Sequence, residues 1–121
     1  MILKVLAGPH IGQRFRLEQT GASTSEYVFK VGRSSGKEFK ERGVSLYKDK
    51  EISTSHAKIE IRNNLAFLTD TQSTNGTKLN SEDVDTKVPY RLESGDVISI
   101  GSSELRVHIL ENGEVDITSP M

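Results

Sequence analysis

Apolar and polar residues alternate with a period of two along short segments of this chain, and this pattern restricts its fold more than any other feature. In residues 57–61 the alternation is clean, since Lys58 and Glu60 separate three apolar residues. A strand places successive side chains on opposite faces, so that one face can be buried while the other contacts water. The same pattern, at least in part, occurs in residues 2–6, 14–17, 27–31, 65–69, 97–100 and 105–109. These segments predict an all-β chain.

Residues typical of tight turns lie between the predicted strands, at spacings that favour an antiparallel β-sandwich. They are Gly8-Pro9, Thr20-Gly21, Asn63-Asn64, Asn75-Gly76, residues 94–96 and Gly101-Ser102. No amphipathic stretch is long enough to predict a helix. A chain of 121 residues has the size of one domain. We therefore expect a single sandwich over residues 1–110, followed by an acidic, flexible tail or linker over residues 111–121.

The composition argues against several kinds of site and location. The chain has no cysteine, which excludes disulfides, thiolate metal ligands and a cysteine nucleophile, and agrees with a reducing compartment. No apolar run approaches the roughly 20 residues of a membrane-spanning helix, and the N-terminus lacks a signal-peptide core. The formal net charge of -1 provides no bulk attraction for nucleic acid or an anionic membrane. We expect a soluble intracellular protein with no membrane partner.

One segment carries an uneven charge. The stretch from residue 34 to residue 51 is long for a connection in a compact β domain, and connections of this length are often functional. From Arg33 to Lys50 there are six basic and three acidic residues, a net charge of +3. Two interpretations remain open: the segment binds an anionic partner, or it is a solvated surface. The basic residues are Arg33, Lys37, Lys40, Arg42, Lys48 and Lys50.

The residues that could support catalysis or metal binding are poorly spaced for either. Residues 32–37 superficially resemble a phosphate-binding loop, but three residues rather than four separate the glycines, and Glu38 follows the lysine. The three histidines are far apart in sequence, which argues against a zinc site. Ser53 and His56 lie three residues apart without an evident acid to orient the imidazole. We expect a protein that is not an enzyme and has no metal and no cofactor.

Three motifs, in order along the chain, and the two segments that frame them resemble the forkhead-associated (FHA) domain. Gly32-Arg33 follows a predicted strand, and Ser-Thr-Ser-His-Ala at residues 53–57 enters another. Residues 70–80, from Asp70 through Asn75-Gly76 to Asn80, are similar to the third motif, and the Gly-Asp-containing residues 92–101 are similar to the closing strands. The N-terminal residues 3–17 are similar to its opening strands. The resemblance covers about residues 1 to 110.

The resemblance implies an FHA-like sandwich of about eleven strands whose loops at one end bind phosphothreonine peptides. It implies that Arg33 pairs with the phosphate and that Ser53 donates to it. Thr74 and Asn75 are expected beside the phosphothreonine and the peptide main chain. Thr54 stands where the family often has Arg or Asn, so that a longer polar side chain is absent. Gly32, His56 and Gly76 match positions that shape the loops.

The resemblance also gives the basic segment a role, since Lys37, Lys40, Arg42, Lys48 and Lys50 lie between the Arg33 and Ser53 motifs. We expect them near the phosphate site, as auxiliary contacts for the phosphothreonine partner. Two alternatives remain: a phosphate-independent interaction scaffold, and nucleic-acid binding through the 33–50 loop, which we consider less favoured. The expected form is a monomeric module, nuclear or cytoplasmic, with the nucleus suggested by the resemblance alone.

Overall fold

The computed structural model describes residues 1–18 and 26–109. Within them the chain forms eleven strands and one short helix. The strands are β1 (Ile2–Ala7), β2 (Arg14–Arg16), β3 (Glu26–Gly32), β4 (Val44–Ser45), β5 (Ala57–Arg62), β6 (Leu65–Asp70), β7 (Thr77–Leu79), β8 (Glu82–Asp83), β9 (Tyr90–Leu92), β10 (Val97–Ile100) and β11 (Ser103–His108). The helix is α1 (Lys37–Lys40). The predicted turn at Thr20-Gly21 and the predicted tail lie outside the described residues.

The strands form two sheets that enclose one apolar core. The first sheet has the order β2-β1-β11-β10-β7-β8, and the second has the order β4-β3-β5-β6-β9. The predicted alternation is seen in β11, where every second residue is buried and faces the core and the intervening residues are exposed. This confirms the predicted all-β sandwich and its strand number. Core residues from both sheets are Leu3, Val5, Phe29, Val31, Ile59, Leu68, Ile98, Ile100 and Leu105.

The elements that the alternation did not predict are short. β4 and β8 have two residues each, and β7 and β9 have three, which is too short for a period of two to be recognised. Their partners in the sheets define them instead. β4 also departs from the predicted antiparallel pattern, since it pairs in parallel with the end of β3. The basic segment between Arg33 and Ser53 therefore contains α1 and β4 rather than one open loop.

The β5–β6 hairpin follows the turn prediction. Asn63 and Asn64 have φ angles of 51° and 66°. Two consecutive residues in this left-handed region form the type I′ turn that matches the twist of a hairpin, and asparagine tolerates it better than most residues. The hairpin sets the register that pairs Arg62 with Leu65 and Ala57 with Asp70. It lies at the opposite end of β5 and β6 from the loops of the candidate site.

The β4–β5 connection is held in place by a buried carboxylate. Asp49 accepts hydrogen bonds at Oδ2 from the Ser102 backbone N–H (3.0 Å) and hydroxyl (3.0 Å) and from the Ser103 hydroxyl (2.6 Å). Its Oδ1 accepts from the Glu51 N–H at 3.1 Å. Burial raises the pKa of Asp49, but these bonds together outweigh it and hold the pKa below the ordinary value. Asp49 thus attaches the β4–β5 connection to the β10–β11 turn.

We predict that Asp49→Asn lowers the free energy of unfolding by about 3 kcal/mol at neutral pH, because an amide group would face hydroxyl donors and leave buried groups unpaired. Urea denaturation measures the change, with the exposed Asp83→Asn as the matched control. Because the pKa is lower in the folded state, the carboxylate stabilises the fold above about pH 4, and this contribution is lost as the pH falls further. The gap between the wild type and Asp49→Asn should therefore narrow in acid. A gap that is constant down to pH 2 would contradict the assignment.

Candidate functional site

Three segments meet at one end of the sandwich: the end of β3, the β4–β5 connection and the β6–β7 loop. Gly32 allows the first two to approach closely. The Arg33 N–H donates to the Ser53 carbonyl at 3.0 Å, and a Cβ on Gly32 would lie 2.1 Å from the Thr54 carbonyl oxygen. No side chain fits in that space, so glycine is required here by packing rather than by its backbone angles. The predicted loop-shaping role of Gly32 has this physical basis.

Arg33 extends from the end of β3 along the β4–β5 connection. Its Nε–H donates to the Ile52 carbonyl at 2.9 Å, and one Nη2–H donates to the Thr54 hydroxyl oxygen at 3.4 Å. A guanidinium group has five N–H donors, and the other three make no hydrogen bond with any described residue. The side chain is exposed. Two anchored donors fix the plane of the group, and the remaining donors are available to an external acceptor.

Ser53 and Thr74 connect the second and third segments. The Thr74 backbone N–H donates to Ser53 Oγ at 2.9 Å. Because the hydroxyl oxygen accepts this bond, its own hydrogen remains available for donation to a ligand. The Thr74 side chain is exposed beside it. The structure therefore brings together five residues predicted from the sequence, which we name the rim cluster: Arg33, Ser53, Thr54, Thr74 and Asn75.

Asn75 is also engaged between the loops. Its side-chain N–H donates to the Glu51 carbonyl at 2.8 Å, which ties the β6–β7 loop to the β4–β5 connection. Its Oδ1 makes no hydrogen bond with the described residues. The Asn75 carbonyl oxygen is therefore available to accept a hydrogen bond from a peptide main chain, while one N–H of the same amide is already bonded within the protein. Gly76, which follows, has a φ of 83°, the left-handed conformation that the predicted turn requires.

His56 is fully buried beneath the rim cluster. The Ser53 N–H donates to His56 Nδ1 at 3.0 Å, and His56 Nε2–H donates to the Gly76 carbonyl at 2.9 Å. This pattern requires the neutral ring, and burial lowers the pKa of His56 below its ordinary value despite the opposing effects of the Gly76 carbonyl and the two nearby aspartates. Both ring nitrogens hold backbone groups, so His56 is not placed as a general base for Ser53.

Asp70 organises the β6–β7 loop, and sequence reasoning did not single it out. Its carboxylate accepts the N–H groups of Gln72 (2.8 Å) and Ser73 (2.9 Å) and the hydroxyls of Ser73 and Thr77. Burial raises the pKa of Asp70, but these bonds prevail and lower it. An aspartate directly before a run of turn-forming Ser, Thr, Asn and Gly residues is the sequence signal that predicts this arrangement. Asp49 lacked a comparable signal, because its partners Ser102 and Ser103 are distant in sequence.

The five predicted auxiliary basic residues are exposed, and none makes a hydrogen bond with the rim cluster within the described residues. Lys37 and Lys40 lie on α1, and Arg42 follows it. Lys48 and Lys50 lie in the β4–β5 connection, close in sequence to Ser53. Lys40 and Lys48 instead place their ammonium groups near the ring of Tyr47, at 5.5 and 5.8 Å from its centroid.

The rim cluster presents donors and a fixed positive charge, with hydroxyl groups and the loop backbone around them. Such a set suits an anionic oxygen ligand. In residues 1–18 and 26–109 no group of three or more His, Asp or Glu side chains is placed to ligate a metal ion. Over the same residues no helix has the length and apolar character needed to cross a membrane.

Comparisons with known proteins agree with this geometry. The family model for the FHA domain matches residues 29–101. The kinase-interacting FHA domain of a kinase associated protein phosphatase from Arabidopsis is 31% identical, covers 93% of this chain and 95% of its own, and gives a TM-score of 0.72. No curated protein sequence matches the chain.

Two further solved FHA domains show the same likeness. One, from a hypothetical protein of Arabidopsis thaliana, is 27% identical with a TM-score of 0.76, and the match covers 94% of this chain and 88% of that one. The other comes from a structural and functional analysis of phosphothreonine-dependent FHA domain interactions. It is 28% identical with a TM-score of 0.71, and the match covers 92% of this chain and 97% of that one.

We predict that Gly32→Ala destabilises the fold by about 1–3 kcal/mol, since the new methyl group must separate the end of β3 from the β4–β5 connection. Gly36→Ala is the matched control, because at Gly36 a Cβ approaches only the Ser34 hydroxyl, at 3.1 Å, and the φ of -64° suits alanine. Chemical denaturation of both variants measures the difference. Equal stability of the two variants would show that the close approach at Gly32 does not matter.

Proposed function

The chain belongs to the FHA domain family, and from this premise we propose that it binds phosphothreonine-containing segments of a partner protein through the rim cluster. FHA domains are non-catalytic interaction modules, and we propose that this chain acts as one, recruiting a phosphorylated partner in signalling. We further propose that it acts as a monomer inside the cell, in the nucleus or the cytoplasm.

The observation that carries the proposal is the hydrogen-bonded convergence of the three segments. Arg33 is anchored by Ile52 and Thr54, and Ser53 is anchored by Thr74. Each anchor engages atoms that a phosphate does not need, and leaves the remaining guanidinium donors and the Ser53 hydroxyl hydrogen free. The site is therefore ordered before the ligand arrives, which reduces the entropy lost on binding.

A phosphothreonine matches this donor set. Near neutral pH it carries close to two negative charges and three strong acceptor oxygens. Hydrogen bonds to charged groups contribute roughly 1.5–3 kcal/mol each, so two or three of them would separate a phosphorylated peptide from its unmodified form by orders of magnitude. A forked guanidinium with a fixed plane is better suited to this than a lysine ammonium group. Binding is then conditional on phosphorylation.

Thr54 has a clear part in this proposal, although it lacks the longer polar side chain that the family often has here. Its hydroxyl oxygen accepts from Arg33, so the residue supports the phosphate ligand indirectly by orienting the guanidinium. The hydroxyl hydrogen remains available to a phosphate oxygen. The rim cluster would therefore still bind the phosphate through Arg33 and Ser53, with a short hydroxyl at position 54 in place of a longer donor side chain. Support from the comparisons comes from the 28% identical FHA domain studied for phosphothreonine-dependent interactions.

We predict that Arg33→Ala lowers the affinity for phosphothreonine peptides by about 100-fold or more, the equivalent of about 3 kcal/mol in charge-assisted bonds. The fold should persist, because the side chain is exposed. Arg33→Lys should lose most of the affinity as well, since it keeps the charge but not the fork. Isothermal titration with a degenerate phosphothreonine peptide library measures this, and the exposed Arg106→Ala is the control.

Two results would contradict the proposal. One is undiminished binding by folded Arg33→Ala. The other is equal binding of the phosphothreonine library and the same library without phosphate, which would support the phosphate-independent scaffold instead. Binding of a single-stranded oligonucleotide with a steep salt dependence, and no binding of either library, would support the nucleic-acid alternative.

We also predict that the affinity falls as the pH decreases from 7 to 5, because the phosphate gains its second proton near pH 6 and loses about one charge. Isothermal titration across this range measures the effect, and the free energy of unfolding is recorded in the same buffers to separate ligand protonation from any loss of fold. Constant affinity between pH 7 and pH 5 would show that the dianion is not what the site recognises.

A further inference from the structure

The start of the β4–β5 connection and the β1–β2 turn that packs against it carry exposed apolar side chains together with ammonium groups. Tyr47 is 47% exposed, and Ile11 is 68% exposed on the neighbouring β1–β2 turn. The ammonium groups of Lys40 and Lys48 lie 5.5 and 5.8 Å from the centroid of the Tyr47 ring, within the range of cation–π attraction. We name these four residues the Tyr47 surface. The proposed function does not use it.

The Tyr47 surface is held by a buried histidine. His10 accepts the Lys48 N–H at Nε2 (3.0 Å), donates from Nδ1 to the Gln13 side chain (3.1 Å) and packs edge-on against Tyr47 with ring centroids 5.0 Å apart. These contacts fix the β1–β2 turn against the start of the β4–β5 connection. The buried His10 therefore holds the Tyr47 ring and the Lys48 backbone in place before a ligand binds. A merely solvated run of lysines needs no such support.

The positive charge of this region is only partly neutralised, since among its auxiliary basic residues Arg42 lies within electrostatic range of the Glu38 carboxylate. Lys30 forms an ion pair with Glu38, but the five auxiliary basic residues form none within the described residues. The Asp49 carboxylate is buried and already accepts four hydrogen bonds. Glu41 and Glu51 remain as exposed carboxylates among five exposed cations. The charge therefore favours an anionic occupant, while Tyr47 and Ile11 favour one with an apolar part.

The topology places the Tyr47 surface within reach of a peptide at the rim cluster. β4 pairs in parallel with the end of β3, where Gly32 is opposite Ser45 and the Leu46 N–H donates to the Gly32 carbonyl at 2.9 Å. Tyr47 therefore follows β4, the strand that lies beside the end of β3, which leads into Arg33. Neighbouring strands are about 4.8 Å apart, and an extended peptide advances about 3.3 Å per residue. By these spacings, roughly two to four peptide residues span the distance from a phosphothreonine at Arg33 to Tyr47.

We propose that the Tyr47 surface binds acidic residues that flank the phosphothreonine in the same partner protein. The inference rests on the proposed function. Lys40 and Lys48 would attract the carboxylates of the partner, and Tyr47 and Ile11 would contact apolar groups beside those carboxylates. A nucleic acid fits less well, because Tyr47 is the only exposed aromatic residue among the large apolar side chains of the described residues, and base stacking usually employs several. Linked contacts of this kind raise the affinity of one peptide for one domain.

Two peptide libraries test the proposal. Both carry a central phosphothreonine; one has Asp and Glu at the flanking positions, and the other has Asn and Gln in their place. We expect the wild type to bind the acidic library about 5-fold more tightly, in line with two partly exposed ion pairs. The double variant Lys40→Gln/Lys48→Gln should bind both libraries equally, and its affinity for the neutral library should match that of the wild type.

A matched double variant controls for net charge. Lys4→Gln/Arg106→Gln removes two positive charges from exposed, paired positions on β1 and β11, and it should keep the preference for the acidic library. Tyr47→Phe should also keep it, whereas Tyr47→Leu should reduce it, because only the aromatic ring attracts the ammonium groups. Thermal unfolding of each variant confirms that the fold is retained.

The outcomes separate this inference from the proposed function. If the wild type binds both libraries equally, the Tyr47 surface does not bind the flanking acidic residues and this inference is overturned. The proposed binding of phosphothreonine is not contradicted by that result. If the control variant loses the preference as fully as Lys40→Gln/Lys48→Gln, bulk charge is the cause and the inference is overturned. If neither library binds, the proposed function fails, and the inference fails with it. Binding of a single-stranded oligonucleotide that only Lys40→Gln/Lys48→Gln loses, without a preference for acidic peptides, would replace the peptide with a nucleic acid.

Discussion

The candidate site depends on the buried hydrogen bonds that fix the β4–β5 connection. This segment supplies Ser53 and Thr54, and it also provides the carbonyl that anchors Arg33. Asp49 ties it to the β10–β11 turn, and His56 ties it to the β6–β7 loop. Buried polar groups are costly when unpaired, so a network in which each is satisfied favours one arrangement of the loops. The geometry of the candidate site is therefore set by buried groups that are bonded within the protein.

Buried and exposed polar groups have different functions at this end of the sandwich. Asp49, Asp70 and His56 have their carboxylate oxygens or ring nitrogens engaged by the protein, and their pKa values are shifted so that each stays in the charge state that this bonding requires. Arg33 and Ser53 keep donors free. The same separation holds at the Tyr47 surface, where the buried His10 supports exposed groups. Ordered supports with free donors suit reversible recognition, because little has to rearrange when a ligand binds.

Much of the fold could be predicted from residue pattern alone. The alternation in residues 57–61 and 105–109 predicted strands that the structure confirms, and Asn63-Asn64 predicted the hairpin turn. The two-residue strands β4 and β8 could not be predicted, because their hydrogen bonds come from partner strands rather than from a pattern in their own sequence. For the same reason the parallel pairing of β4 with β3 was missed.

For the site, the sequence by itself determined the family and the residue types that can bind a phosphate: a permanently charged guanidinium, short hydroxyls and a turn-forming Asn-Gly pair. These depend on local chemistry and spacing, which a linear pattern retains. Only the tertiary structure decided which of their donors are occupied and which are free, and that Lys40 and Lys48 face Tyr47 instead of the rim cluster. It also revealed Asp49 as an anchor, since its partners Ser102 and Ser103 lie more than 50 residues away. Such pairings exist only after the two sheets close around the core, because they join residues from different loops.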